Sequence, residues 1–408
     1  MFINSRESVP SLNDLSGYMA EVHGISLRKQ SLDGRFHSGA VRFLERVLAR
    51  VLGDTVRLPQ DEGLSTHFNR VLIKDSTRFN LLDRYAHRYP GYGGHRPNSG
   101  AAISIQYEYD YLSGQVTDLS LTPATRNDQR DSREGGDQVM AGDLLIRDLG
   151  YATLGHMVKV ASKGAFFLNR LDTQLKVHTR QGAEVDLVGI CRKMGKKGLP
   201  YMELDVLVGK GRDLPCRLVV SRVDQRTYEK RIASASKRAK SQGYNLSERY
   251  KALARLNVLV TNAVAGQLPA PKVMELYGLR WHIELVFKSW KSICRINRFA
   301  RAKVERFECL LLAKLIWAMA CWNGFLIARQ WIERNDATVA CSCSLQKFYK
   351  KASRLSLLLR SAIWGRPEKA RQWARALLEG PVLLVATEKR KGRKSLRQKA
   401  DSLYIAQN

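Results

Sequence analysis

The apolar residues between positions 276 and 293 recur at the spacing of an α-helix. At about 100° per residue they fall on one arc, which is typical of a buried helix face. The members of this apolar arc are Leu276, Leu279, Ile283, Val286, Phe287, Trp290 and Ile293. A second arc, about 60° wide, lies beside it and is polar. Its members are Tyr277, Arg280, Glu284 and Lys291, with Lys288 at its edge. We therefore predict one continuous helix of about four turns whose polar face carries one acid among several cations.

The polar face of this helix has two interpretations. Arg280 and Glu284 are one turn apart, so the face can be a solvated surface with a helical ion pair. Alternatively, Glu284 can be a metal-binding carboxylate that meets a phosphodiester held by the neighbouring cations. The helix alone favours neither interpretation.

Two short apolar runs earlier in the chain each end in an acid. Residues 71–74 run into Asp75, and residues 144–147 run into Asp148. Each run predicts a buried strand with a carboxylate at its exit. A lone aspartate at a strand end is more often a cap or a turn residue than a metal ligand. The prediction of a metal site therefore depends on the two acids occurring together with Glu284.

The segments around these strands complete an α/β order. Alternation of period two predicts a hairpin over 103–109 and 116–121, and a helix and a further strand follow the Asp148 run. The order strand, hairpin, helix, strand, helix, strand is the ribonuclease-H-like pattern. In such a sheet the first and fourth strands are neighbours, so Asp75 and Asp148 should meet. We predict an α/β fold with a ribonuclease-H-like catalytic core.

The alternation of strand and helix breaks after residue 171. Short strands are predicted over 174–177, 184–190, 201–208 and 216–221. They suggest a mostly β insertion domain, which is followed by basic helices and by a strand over 256–262 that returns to the main sheet. Helical patterns occupy both ends of the chain, and residues 26–36 faintly resemble the second helix of a helix-turn-helix.

The charge of the chain indicates a polyanionic partner. Lys and Arg number 68 against 38 Asp and Glu among 408 residues, a net charge of +30. The cations are spread through folded-looking sequence, which favours nucleic acid over an acidic membrane. The apolar segment 307–328 is interrupted by Glu308 and Lys314 and is interpreted as a buried helix rather than a membrane span.

The cysteines and the first residues bear on the compartment. The seven cysteines are scattered without a C-x-x-C pair, so reduced thiols in a cytoplasm are expected and a zinc site is not. Residues 1–10 have no signal-peptide pattern. We expect a cytoplasmic protein with no membrane partner.

Three converging carboxylates would have a definite chemistry. Asp75, Asp148 and Glu284 would repel one another unless cations lay between them, and oxygen ligands favour Mg²⁺, with Mn²⁺ as a substitute. Two such ions can stabilise the attacking and leaving oxygens of a phosphodiester displacement. The acids that compete for the same role are Glu108, Asp110, Asp118 and Asp143.

The spacing of the polar helix face resembles a known signature. Tyr277-x2-Arg280-x3-Glu284-x6-Lys291 resembles the YREK signature of bacterial insertion-sequence transposases of the DDE class, in insertion-sequence family four. Asp75-Ser-Thr and Asp148-Leu-Gly-Tyr resemble the first and second aspartate motifs of that family. The resemblance spans about residues 70–295 and extends weakly to the N-terminal helices.

The resemblance implies a DNA transposase that performs cut-and-paste transposition. Such an enzyme hydrolyses the 3′ strand at the inverted-repeat ends of its element and joins the 3′-OH to target DNA. It acts on double-stranded DNA as a homodimer, in the cytoplasm of a bacterium and in association with the nucleoid, and it needs Mg²⁺. By the same resemblance Asp75, Asp148 and Glu284 are the catalytic metal ligands. The DNA contacts would come from Tyr277, Arg280 and Lys291, with Lys288 added from its place beside them.

With the resemblance, the chain divides into five predicted segments. They are a helical N-terminal DNA-binding region (1–65), the first part of the catalytic core (66–171), a β-rich insertion with basic helices (172–255), the second part of the core with the Glu284 helix (256–335) and a basic C-terminal helical region (336–408).

One feature departs from the family, and other functions compete. Relatives that form a DNA hairpin hold a flipped base on a tryptophan of the insertion, but all seven tryptophans here lie at 281 or later. Substitutes would be Phe166, Phe167, Tyr201 or Tyr244. The alternative function is a catalytically inactive, transposase-derived DNA-binding regulator. A tyrosine recombinase is disfavoured, because its H-x-x-R match at 67–70 lies far from a C-terminal tyrosine.

Overall fold

The structure is a computed structural model of the chain. It describes residues 11–55, 57–58, 62–93, 100–134, 138–172, 175–211, 214–335 and 344–354. These residues form two compact units. Unit one takes the described residues within 1–60, 76–125 and 281–398, and unit two takes those within 61–75 and 126–280.

The elements are numbered in chain order. The helices are α1 (Leu12–His23), α2 (Lys29–Gly34), α3 (Ser38–Gly53), α4 (Glu62–Ser65), α5 (Asp128–Glu134), α6 (Leu154–Ser162), α7 (Leu187–Lys197), α8 (Gln225–Ser241), α9 (Glu248–Leu253), α10 (Ala270–Tyr277), α11 (Trp281–Ser292), α12 (Val304–Asn335) and α13 (Leu345–Arg354). The strands are β1 (Arg70–Asn80), β2 (Ala102–Asp110), β3 (Val116–Pro123), β4 (Asp143–Arg147), β5 (Phe166–Arg170), β6 (Val177–Thr179), β7 (Tyr201–Val208), β8 (Leu214–Arg222) and β9 (Leu256–Thr261). Two 3-10 turns cover Asp83–Tyr85 and Gly278–Arg280.

The sheet of unit two has the strand order β1-β4-β5-β9-β8-β7-β6. β1, β4 and β5 are parallel, and the strands from β5 to β6 pair antiparallel. The predicted core order and the return of β9 to the sheet are therefore confirmed. The predicted insertion strands 201–208 and 216–221 are present as β7 and β8, whereas the prediction for 174–177 meets β6 only at Val177. These strands extend the main sheet through β9, because β8 pairs with β9 over six residues.

One face of this sheet buries the core of unit two. The core includes Leu145 of β4, Phe167 of β5, Val220 of β8 and Val260 of β9, and it also takes Met194 from α7. These side chains are at most 1% exposed. Burial of each such apolar side chain contributes about 1.5–3 kcal/mol to the free energy of folding. This packing stabilises the parallel strands that carry the aspartates.

The sheet of unit one contains the β2–β3 hairpin and the last residues of β1, in the order β3-β2-β1. The predicted hairpin is confirmed. Helix α11 packs its apolar arc on β2, where the Tyr107 and Trp290 rings meet edge to face at 4.9 Å. The Trp290 indole also donates to the Tyr349 hydroxyl on α13 at 3.4 Å. The predicted burial of the apolar helix face is thus correct for α11.

Three predicted elements are wrong in detail. The predicted strand 184–190 belongs mostly to α7, because the Asp186 carboxylate caps the amide of Val188 and starts a helix. The predicted continuous helix of about four turns is interrupted by the 3-10 turn between α10 and α11. The predicted strand that ends at Asp75 continues to Asn80.

Helix α12 contains the apolar segment that the sequence assigned to a buried helix. Within the described residues, Val304–Gln330 is long and apolar enough to cross a membrane by length and composition, and 72% of its apolar window is buried inside the protein. Helix α12 packs on α3 in unit one. Its Trp322 indole donates to the Gly114 carbonyl at 3.0 Å, which fits a core helix. The prediction for 336–408 falls mostly outside the described residues.

Candidate active site

Asp75 lies within β1 and Asp148 directly follows β4, and these two strands are neighbours in unit two. β1 and β4 pair in parallel register up to Lys74 and Arg147, and the two aspartates are the next residue of each chain segment. Neighbouring strands lie about 4.8 Å apart, so the register brings the two carboxylates to one edge of the ladder. From Asp75 onward, β1 no longer pairs with β4. The predicted adjacency of the first and fourth strands is confirmed.

Tyr277 and Arg280 contact these two aspartates. The Tyr277 hydroxyl donates to Asp148 Oδ1 at 3.2 Å, and Arg280 Nη1 lies 3.3 Å from Asp75 Oδ2. The Arg280 and Asp75 side chains are only 11% and 19% exposed, so solvent screens their attraction weakly. Burial, and then the charge of Asp148, raise the pKa of the Tyr277 phenol, which keeps its proton on the hydroxyl. The tyrosine and the arginine of the signature therefore lie with the two acids.

Glu284, Lys288 and Lys291 lie on α11 in unit one. They occupy positions i, i+4 and i+7, which share one helix face. Lys288 is exposed, and Glu284 is half-buried. The Lys291 ammonium donates to the Arg78 carbonyl at 3.2 Å, and burial lowers its pKa. The convergence of Glu284 with the two aspartates stays a prediction.

The four competing acids have other local contacts. Asp143 makes a two-point ion pair with Arg70 at the opposite end of the β1–β4 ladder. Asp110 accepts two backbone amides in the hairpin turn. Glu108 accepts a threonine hydroxyl at 2.9 Å and lies opposite Asp118 in the β2–β3 register. These contacts favour structural roles for Asp143 and Asp110 in particular.

The donor chemistry of the aspartate pair fits a hard divalent cation. Carboxylate oxygens are the ligands that Mg²⁺ and Mn²⁺ prefer, and two adjacent carboxylates need positive charge between or beside them. Arg280 supplies such charge to Asp75. Across the described ranges, no group of three or more His, Cys, Asp or Glu side chains is close enough to hold a metal ion. Within unit two, the β1–β4 register thus sets two of the three predicted ligands on neighbouring strands.

A family model described as "Transposase DDE domain" matches residues 66–320. The match covers more than half of the chain and includes all three predicted acids. The chain belongs to this transposase family. It is accordingly a DNA-cleaving and strand-transferring enzyme, and no finding favours the inactive regulator.

Curated transposases of bacterial insertion sequences are similar over most of the chain. The transposase for insertion sequence element IS231F from Bacillus thuringiensis subsp. israelensis is 32% identical over 351 residues, which are 81% of this chain and 72% of that one. The transposase for IS1151 from Clostridium perfringens is 26% identical over 337 residues, 78% of this chain and 70% of that one. These similarities agree with insertion-sequence family four, while the YREK subtype stays a prediction.

A solved structure of a transposase also matches, at low similarity. The cryo-EM structure of the piggyBac transposase synaptic complex with hairpin DNA is 14% identical, with a TM-score of 0.38. The match covers 82% of this chain and 57% of that one.

A buried cation directly precedes each aspartate of the transposase, and neither cation was predicted to have a role. Lys74 is 6% exposed and pairs with Asp131 of α5 at 2.7 Å. Arg147 is 3% exposed and contacts the imidazole Nε2 of His156 at 3.0 Å. A cation inside an otherwise apolar strand run was the available signal, because a buried cation needs a partner.

The four aromatic residues proposed to hold a flipped base differ in solvent exposure. Phe167 is fully buried, and Phe166 packs edge to face on Phe68 at 5.5 Å. Tyr201 and Tyr244 are 43% and 49% exposed. The two tyrosines are the exposed members of this set, so they are the stronger candidates for base stacking in this transposase.

Proposed function

We propose that this transposase moves its own DNA element by metal-dependent cut-and-paste transposition. It would hydrolyse the 3′ strand at the inverted-repeat ends and transfer that strand into target DNA. The observation that supports the proposal is the register of β1 and β4, which sets Asp75 and Asp148 on neighbouring strands. The charge of +30 supports binding of double-stranded DNA.

Asp75, Asp148 and Glu284 would hold the divalent cations, Mg²⁺ or Mn²⁺. When bound, two such ions supply Lewis-acid stabilisation to both oxygens of the displacement. The carboxylates of Asp75 and Asp148 provide the fixed negative charge on the strands. The Glu284 carboxylate would complete the set from the first turn of α11.

Tyr277 and Arg280 would orient the acids and also meet the DNA. Tyr277 holds one oxygen of Asp148, which leaves the other oxygen of that carboxylate for a ligand. Arg280 has five N–H donors and can keep its contact to Asp75 while donating to a phosphate. Lys288 is exposed and Lys291 has further donors, so both can neutralise phosphates.

The enzyme would act as a homodimer on paired ends, in the cytoplasm of a bacterium and in association with the nucleoid. The five predicted segments belong to the same proposal. In it, residues 1–65 and the basic helices of 172–255 bind DNA outside the catalytic core.

Cleavage of a supercoiled plasmid that carries the DNA flanking both sides of this gene tests the proposal. The wild type should nick and excise the segment in Mg²⁺ or Mn²⁺, and Asp75→Asn, Asp148→Asn and Glu284→Gln should each abolish cleavage while retaining DNA binding. Glu275→Gln, which alters an exposed acid on α10, is the matched control and should cleave normally. Metal-dependent cleavage by Glu284→Gln at the wild-type rate would refute the assignment of Glu284.

A further inference from the structure

Helix α5 lies against both acid-bearing segments of unit two. The Asp131 carboxylate on α5 pairs with the Lys74 ammonium at 2.7 Å, one residue before Asp75. The next residue of α5, Ser132, donates its hydroxyl to the Tyr151 carbonyl at 2.8 Å. Tyr151 closes the turn that begins at Asp148, because its amide donates to the Asp148 carbonyl at 3.0 Å.

The contacts of α5 are buried, which makes them rigid. Asp131 is 2% exposed and Ser132 is fully buried. The helix also approaches the turn so closely that a Cβ on Gly150 would lie 3.0 Å from Asp128 Oδ2. A short helix held in this way fixes the turn after Asp148 relative to the strand segment before Asp75.

The charge of Asp131 has a second consequence. Lys74 and Asp75 are consecutive residues of β1, so their side chains leave opposite faces of the strand. Arg126 also pairs with Asp131, at 3.2 Å, and Arg147 is a further buried cation beside Lys74 in the register. Without Asp131, Lys74 would lose its buried counter-charge directly behind the acids, whereas Arg126 would keep its ion pair with Glu134. The uncompensated charge of Lys74, next to Arg147, would disfavour a divalent cation there.

We propose that Asp131 and Ser132 are positioning residues that hold the Asp75 and Asp148 segments in the geometry that binds the divalent cation. The inference rests on the proposed role of those two aspartates as metal ligands. The residues act through Lys74 and through the Tyr151 turn and do not themselves contact the metal. Partners of this kind orient metal ligands from one layer further out.

The test is Mn²⁺ binding to the full chain, measured by electron paramagnetic resonance of free Mn²⁺. Asp131→Asn should raise the dissociation constant for Mn²⁺ by about tenfold or more. The matched control is Asp143→Asn, because Asp143 is fully buried, pairs with Arg70 and joins the same two strands at their other end. It should change the dissociation constant less than about twofold once both variants are compared at equal folded fraction.

A second readout needs no metal. Ser132→Ala should accelerate amide hydrogen exchange at Tyr151 and Ala152 at least about tenfold while leaving the β1 amides unchanged. If Asp131→Asn does not fold, the exchange rates of Ser132→Ala alone test whether α5 holds the turn after Asp148. Equal dissociation constants for Asp131→Asn and Asp143→Asn, or unchanged exchange in Ser132→Ala, would overturn the inference. Asp75→Asn separates the two proposals, since normal Mn²⁺ binding by that variant would overturn the metal-ligand assignment itself.

Discussion

His156 should make the stability of unit two sensitive to acid. Its ring is 3% exposed on α6, and Nε2 accepts a hydrogen bond from Arg147 Nη1 at 3.0 Å, which leaves the imidazole proton on Nδ1. Burial first, and then the charge of Arg147, lower the pKa of His156 from 6.5 to about 3. The ring is therefore neutral in the folded protein and protonates readily only after unfolding.

The sign and size follow from proton linkage. Because the folded pKa is the lower one, stability is complete above pH 6.5 and is lost as the pH falls toward about 3. Each pH unit below the unfolded pKa costs about 1.4 kcal/mol, so at pH 5 the free energy of unfolding should be about 2 kcal/mol lower than at pH 8 through this group alone. His156→Gln keeps an acceptor for Arg147 and should lack this loss.

Hydrogen-exchange mass spectrometry of peptides from 143–170 at several urea concentrations measures the local free energy of unfolding. The wild type and His156→Gln should converge as the pH falls from 8 to 5, since only the wild type gains the histidine penalty. The comparison at pH 8 is the internal control, because histidine is neutral there in both states. Parallel curves for the two proteins, or a nuclear magnetic resonance titration of His156 with a midpoint near 6.5, would refute the reasoning.

Four further substitutions test packing and chemistry elsewhere. Gly114→Ala should destabilise unit one by about 2 kcal/mol or more, because φ is 77° and the new Cβ would lie 2.9 Å from Leu326. Gly24→Ala, at φ 64° with open space around it, should cost about 1 kcal/mol in the same thermal unfolding assay. Burial raises the pKa of the Cys216 thiol to about 12, so this thiol should not react with Ellman's reagent in native protein at pH 8. Cys216→Ser should therefore leave the number of reactive thiols unchanged in native protein and lower it by one after denaturation. Arg217→Lys should cost roughly 3–5 kcal/mol and expose the loop after β9 to proteolysis, because a buried guanidinium there donates to backbone carbonyls that one ammonium cannot reach together.

The strands that carry the aspartates were predictable because local pattern and global topology agree there. Apolar runs that end in acids mark buried strands, and a hairpin followed by a helix limits the ways in which the next strand can join the sheet. The register of β1 with β4 confirms that step. Sequence pattern therefore predicted the neighbourhood of Asp75 and Asp148 across 73 residues of chain.

Other elements could not be predicted from the sequence, because a short apolar pattern can fit either a strand or a helix. The run 184–190 is rich in branched residues and suits a strand, but Leu187, Ile190 and Met194 also recur at helical spacing and are buried on one face of α7. The side-chain cap at Asp186 decides between the two. Lys74 stands out as a cation in an apolar run, but nothing local identifies Asp131 as its partner, since ion-pair partners distant in sequence leave no periodicity.

The break between α10 and α11 explains how two residues of the signature reach two different strands. In a continuous α-helix Tyr277 and Arg280 would differ by about 60° in direction and about 4.5 Å along the axis. Residues three apart across a 3-10 turn, with three residues per turn, instead point the same way, so both side chains can be directed at one pair of neighbouring strands. Tyr277 is the last residue of α10 and Arg280 the last of the 3-10 turn, and they contact Asp148 and Asp75 respectively. The interruption that contradicts the predicted continuous helix therefore aligns the tyrosine and the arginine with the pair of acids.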